Sequence, residues 1–305
     1  MTGAEELMRT AAELAPAGDF RGAAEALERA AALHEEAGRD YDHARCLQLA
    51  ATLRRTNGEP ERAAELIAEA KAVEIDDEPL RVSILAEAAE TAVVNGDLHA
   101  SLRAYNGALS HSCLSAEGRN ALLRRRAAAL LALGRVEEAD RDYDAAHQLL
   151  DAGHVRIEQA RALIAHGRLN DAARVLAALQ PKDLHARAEQ RALEATLARA
   201  AGDHATAEAK ARAARDDALS AVAPVAYLAA ALELSEALAA QHKHADAYGT
   251  LADALATLGD AIGEPAAREW IEPALLARRN DWGPDGFAAA RAEHERRRRA
   301  AKEAT

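Results

Sequence analysis

Aromatic residues are scarce. Five tyrosines, two tryptophans and two phenylalanines make up 3% of 305 residues, although half of the chain is apolar. The apolar half is therefore mostly alanine, leucine and valine, and alanine is the strongest helix former. Eight prolines and seventeen glycines are too few for a chain of many short strands and turns. Only two cysteines are present, Cys46 and Cys113, which excludes a disulfide-stapled scaffold and any four-cysteine zinc site. Basic residues are outnumbered 38 to 50, and a net charge of −12 argues against a protein that grips bare phosphate backbone. Long apolar runs are missing too. Val222 to Leu232 holds Pro224 and is followed by Glu233 and Glu236, well short of the roughly 20 residues of a membrane span. The opening residues Met1 to Glu6 show no basic segment followed by an apolar core. No signal peptide is expected, and the expectation is a soluble, cytoplasmic protein with neither membrane nor nucleic acid as partner.

What is present is an internal repeat. A glycine-centred turn recurs at Gly18, Gly58, Gly96, Gly134, Gly167 and Gly202, at intervals of 40, 38, 38, 33 and 35 residues, and His242 takes the glycine's place 40 residues further on. Five residues after each turn stand Ala23, Ala63, Ser101, Ala139, Ala172, Ala207 and Ala247. Nine after stand Leu27, Ile67, Tyr105, Tyr143, Leu176, Ala211 and Leu251. Twelve after stand Ala30, Ala70, Ala108, Ala146, Leu179, Ala214 and Ala254; seven before stand Ala11, Ala51, Ala89, Ala127, Ala160, Ala195 and Ser235. Offsets of five, nine and twelve fall on one helical face. Small residues let paired helices approach closely, and the larger residue fills the space between them. Glycine suits the left-handed end of the first helix, and an Asp or Glu after it suits the start of the second.

This pattern resembles the tetratricopeptide repeat (TPR) family, in which a small residue in helix A and a turn glycine precede an alanine, a large residue and an alanine in helix B. The first four copies also carry Leu7, Leu47, Leu85 and Leu123 at the family's first large helix-A position, where copies five to seven have Arg156, Arg191 and Ala231. The proline that often closes a repeat is missing. The resemblance implies an all-α fold: a right-handed α-solenoid of about seven antiparallel helix pairs over residues 4–262, stabilised by stacking. Residues 263–305 read as a C-terminal cap, with one helix over Glu264 to Arg279, a break at Asp281-Trp282-Gly283-Pro284, and a charged helix from Phe287 to Ala304. Trp270 and Trp282 either cover the end of the stack or form a docking surface. RNA-binding pentatricopeptide proteins share the architecture, and the acidic balance argues against that branch.

Motifs for chemistry are missing. There is no phosphate loop, no Gly-x-Ser-x-Gly elbow and no His-Glu-x-x-His pair. No catalytic residue, cofactor or metal is expected. His204, His242 and His244 beside turns read as helix-end histidines, Cys46 as a small core residue, and Cys113 as a loop thiol whose only cationic neighbour in sequence is His111. The run Arg296 to Arg299 reads as solvated charge at a helix C-terminus, with an acidic or nucleic-acid contact as the alternative.

The resemblance implies that helix A lines a concave groove. Its groove-facing positions here are Arg45, Gln48, Thr52 and Arg55; Ser83, Glu87 and Glu90; Arg124 and Arg125; and His154, Glu158 and Arg161. The family's chaperone-tail clamp uses Lys and Asn at set helix-A positions that mostly hold other residues here. The second helices look acidic, as in Glu59, Glu61, Glu65 and Glu69 or Glu137, Glu138, Asp140, Asp142 and Asp144, so the outer face is expected to be negative with guanidinium groups gathered inside. Arginine forks bind carboxylates in two-point fashion, which makes an acidic segment or chain terminus of a partner protein a fitting ligand. The same arginines can instead pair with Glu87, Glu90 and Glu158 and hold the groove's shape. The expectation is a non-catalytic adaptor that binds a protein or peptide. One alternative is a peptide- or ligand-responsive regulator, acting through a separate effector chain because no helix-turn-helix precedes the first repeat. The other is an enzyme built on His154, Glu158 and Arg161. The oligomeric state is left open.

Overall fold

The computed structural model describes residues 3–150 and 153–303, and among them every regular element is a helix. The chain divides into two compact units, Met1–Ala152 and Gly153–Thr305.

In the first unit, α1 (Gly3–Leu14) pairs with α2 (Phe20–Glu36), α3 (Asp40–Thr56) with α4 (Pro60–Ala72), α5 (Glu78–Val94) with α6 (Leu98–Leu109), and α7 (Ala116–Ala132) with α8 (Val136–Leu150). In the second, α9 (Gly153–Ala165) pairs with α10 (Leu169–Ala178), α11 (Leu184–Ala200) with α12 (His204–Ser220), and α13 (Pro224–Ala240) with α14 (His244–Ile262), followed by α15 (Glu264–Glu303). Within each unit a hairpin packs on the next, and α3 also touches α5, as α11 touches α9 and α13. Every hairpin turn is one of the seven found in the sequence, and α1 to α14 alternate as helix A and helix B.

The repeat positions are the core. All seven residues that follow the turns by five are buried, as are all seven that precede them by seven. Ser235 shows how closely the helices approach, because its hydroxyl donates to the Ala247 carbonyl oxygen at 3.1 Å. Tyr105 and Tyr143 fill the interhelical space in α6 and α8, and Leu251 in α14. Burying a leucine contributes about 1.5–3 kcal/mol, so the hairpins gain their stability from faces that only a neighbour can cover. Leu179 departs from the pattern because α10 ends at Ala178, leaving it half-buried as the cap residue. Copy six departs as well: Arg191 takes the leucine position and reaches the buried carboxylate of Asp217 on α12.

Local chemistry sets the turns. The six turn glycines have φ between +70° and +86°, a region that costs other residues about 1–2 kcal/mol. Asp19, Asp97 and Asp203 then cap the following helix by accepting from the backbone N–H three residues on. Glu59 does not cap α4; its longer side chain accepts from Arg54 at 2.6 Å and from Arg21 at 3.2 Å instead. His242 adopts the turn conformation without glycine, at φ 59°, and so does Val222 between α12 and α13, at φ 52°. Val222 is 84% exposed, so its side chain loses nothing by removal. Val222→Gly is expected to stabilise the protein by about 1 kcal/mol, raising the melting temperature by about 2–4 °C. A lower melting temperature would contradict the left-handed geometry.

Helix α15 runs along α14 and breaks at Gly283, where φ is 70° and ψ 165°. Ala267 and Ile271 are fully buried, and Trp270 packs on the same cluster as Leu251 and Leu258. Trp282 stacks on His244 with ring centroids 4.5 Å apart. Both tryptophans thus take part in packing at this end of the second unit. Ala304, included in the expected last helix, lies outside the described residues.

Candidate partner-binding faces on the A helices

In the first unit, α3, α5 and α7 carry a run of polar side chains joined from one A helix to the next. Gln48 donates to Thr52 Oγ1 at 3.3 Å, and Thr52 donates to Glu87 Oε2 at 2.9 Å. Arg55 grips the same carboxylate with two nitrogens, at 2.6 and 3.2 Å. Glu87 is only 7% exposed, and its bond raises the Arg55 guanidinium above its ordinary value. One turn on, Glu90 accepts from the buried Tyr105 hydroxyl at 2.5 Å and pairs with Arg125 at 3.4 Å. Burial first, and then Glu90, push the Tyr105 phenol up, so it stays a donor at any ordinary pH. Arg45 is exposed on α3; Ser83 on α5 and Arg124 on α7 are half-buried.

The second unit repeats the arrangement. Arg161 on α9 donates to Glu189 on α11 at 3.1 Å, Arg199 on α11 to Glu233 on α13 at 3.1 Å, and Arg278 on α15 to Glu236 on α13 at 2.5 Å. His154 is exposed and Glu158 half-buried, one turn apart on α9. Tyr105, Glu189, Arg199 and Glu233 were absent from the expected site. A signal for the ion pairs exists in the sequence, where arginine and glutamate stand about one repeat apart: Arg55, Arg161 and Arg199 precede their glutamates by 32, 28 and 34 residues, and Arg125 follows Glu90 by 35.

These pairs change the expected electrostatics. The A faces are not banks of bare guanidinium, because a neighbouring A helix brings a carboxylate to meet Arg55, Arg125, Arg161 and Arg199. The B helices are less acidic outside than their sequence suggests. Asp142 is buried and bound by Arg126 at 2.6 and 2.7 Å, while Arg135 and Arg62 hold Glu138 and Glu65. What distinguishes Arg125 and Arg161 is exposure. Their side chains are 55% and 59% exposed; Arg161 donates to Glu189 through one nitrogen and Arg125 pairs with Glu90 at 3.4 Å, so each guanidinium keeps donors for an incoming carboxylate.

An open cavity of about 680 Å³ lies in the second unit between the ends of α11 and α13, the α13–α14 turn and α15. His204, His242, His244 and Trp282 line it, together with Arg199 and Arg278, whose charges are already met by Glu233 and Glu236. The thiols are poor nucleophiles: burial pushes Cys46 up to about 11, and desolvation and Glu78 raise Cys113.

One turn contact is pH-sensitive. Glu208 on α12 accepts from Lys243 at 2.8 Å, Arg212 at 2.9 Å and Gln241 at 3.0 Å. The Lys243 bond first, with help from Arg212 and Gln241, lowers its carboxyl to about 2. A depressed carboxylate stabilises the fold above its unfolded value and loses that contribution as pH falls toward the folded one. Glu208→Gln is therefore expected to cost about 1 kcal/mol at neutral pH, solvent screening included, and to lose less stability than wild type on acidification from about pH 4.5 to 2. Equal acid sensitivity of the two proteins in urea titrations would contradict this role.

No family model matches the sequence, and no curated protein matches it. Among solved structures, a tetratricopeptide repeat protein from Parabacteroides merdae is similar over 88% of this chain and 98% of its own, with a TM-score of 0.57 and 18% identity. BtubC from P. vanneervenii is similar over 72% of this chain and 92% of its own, at TM-score 0.47 and 20% identity. The first of these, with the helix pairing above, gives the fold: this chain has the architecture of tetratricopeptide repeat proteins. Among the described residues, no helix is long and apolar enough to cross a membrane.

Proposed function

We propose that the chain is a non-catalytic protein-binding module whose A-helix faces hold a partner's polypeptide segment, with acidic side chains or a chain terminus as the feature recognised. The fold is one generally used for protein–protein interaction. The observation that carries the reading occurs once in each unit: Arg125 in the first and Arg161 in the second each pair with one glutamate and are more than half exposed. A guanidinium held this way loses little further freedom on binding, which lowers the cost of association. Arg55 and Glu87 belong to the support of that face, because their two-point bond is already closed.

Affinity capture from the native cell with mass spectrometry, run on wild type, Arg125→Ala and Arg161→Ala, tests the proposal. The expected result is one partner enriched by wild type and lost or reduced in at least one variant whose circular dichroism is unchanged. Undiminished capture by both variants would remove the A faces from consideration.

A further inference from the structure

We propose a zinc site in the first unit, formed by His43 at the start of α3 and by Glu35 and Glu69 near the ends of α2 and α4. One ligand atom from each lies within 4.8 Å of the others. The histidine makes this more than an acidic patch. Its side chain is 7% exposed, and Nδ1 lies 3.0 Å from the Ala31 carbonyl oxygen. A carbonyl oxygen only accepts, so Nδ1 carries a proton and Nε2 is the nitrogen that faces the two carboxylates, where its lone pair can be given to an ion. That nitrogen comes to 3.7 Å from Glu69 Oε1, outside hydrogen-bond distance. A buried imidazole oriented by a backbone carbonyl on its far nitrogen is the usual setting of a metal-bound histidine.

The ligand set selects the ion. One imidazole nitrogen and two carboxylate oxygens suit a borderline divalent ion better than the all-oxygen preference of calcium or magnesium. Ligand atoms around zinc, bonded at about 2.0–2.2 Å, stand roughly 3.4 Å apart. The cluster needs to contract by at most about 1.4 Å to reach that, and Glu35 and Glu69 are both exposed while His43 is buried and held by the Ala31 carbonyl. The fourth position is open to water. A bound ion ties the ends of α2 and α4 to the start of α3 and so couples the first two hairpins.

Titration calorimetry of the full chain with zinc chloride tests the site, alongside thermal melts with and without zinc. Wild type is expected to take up zinc and melt higher with it. Glu35→Gln and Glu69→Gln change exposed residues without disturbing the core, and each is expected to weaken zinc binding about tenfold or more. His43→Gln is expected to abolish it. With twelve histidines in the chain, adventitious uptake elsewhere would be indifferent to these substitutions. No uptake by wild type, or uptake that both glutamine variants at positions 35 and 69 retain in full, would overturn the proposal.

Discussion

Tyr105→Ala is expected to destabilise the first unit by about 4 kcal/mol, among the largest effects of any single truncation in the chain. The ring occupies the large position of its hairpin at 1% exposure, so its removal leaves a cavity that the surroundings close only in part. The loss has a second part. The Tyr105 hydroxyl reaches Glu90 at 2.5 Å, so the alanine variant also leaves that carboxylate to Arg125 alone. Tyr105→Phe separates the two parts: it keeps the volume and removes only the donor, for an expected cost of about 1–2 kcal/mol. Urea unfolding followed by circular dichroism measures both. A phenylalanine variant as unstable as the alanine variant would mean that the hydrogen bond, not the packing, dominates.

Glu87→Ala is expected to cost about 3 kcal/mol. Removing one partner of a closely bonded buried pair leaves the other unmet, here the Arg55 guanidinium and the Thr52 and Thr91 hydroxyls. Glu87→Gln keeps an acceptor and is expected to cost less. The contrast with the exposed arginines is the point: Arg125→Ala and Arg161→Ala are expected to change stability by less than about 1 kcal/mol. If Glu87→Ala costs under about 0.5 kcal/mol in the same urea titration, the pair is not structural, and Arg55 becomes available to a ligand.

The fold was legible because its information is repeated. Seven copies of small residue, tight turn, small residue, larger residue and alanine leave little freedom, and apart from the turn residues and Leu179 those residues are buried. Even His242, which breaks the glycine rule, keeps the left-handed φ because the hydrogen bonds of the turn demand it: His242 N–H reaches the Ala239 carbonyl and Lys243 N–H the Leu238 carbonyl. The candidate site was less legible. Sequence placed Arg55, Glu87, Glu90 and Arg125 on A helices, but the pairing depends on how one A helix is rotated against the next, which side-chain type alone does not fix. Asp142 shows the same limit, since a run of acidic residues in α8 gave no sign that one of them turns inward to Arg126. The His43 cluster was hidden for a related reason: its three residues come from three helices, at spacings that match no metal motif.

Selection of peptides from a random display library against the full chain tests the central claim most directly, with binding then measured on wild type, Arg125→Ala, Arg161→Ala and a B-helix control, Arg141→Ala. The enriched peptides are expected to be rich in Asp and Glu or to end in a free carboxylate. Their affinity should fall about tenfold or more when an A-face arginine is removed, the loss of a charge-assisted bond, and stay unchanged in Arg141→Ala. Enrichment of neutral or basic peptides, or binding indifferent to both A-face arginines, would contradict it.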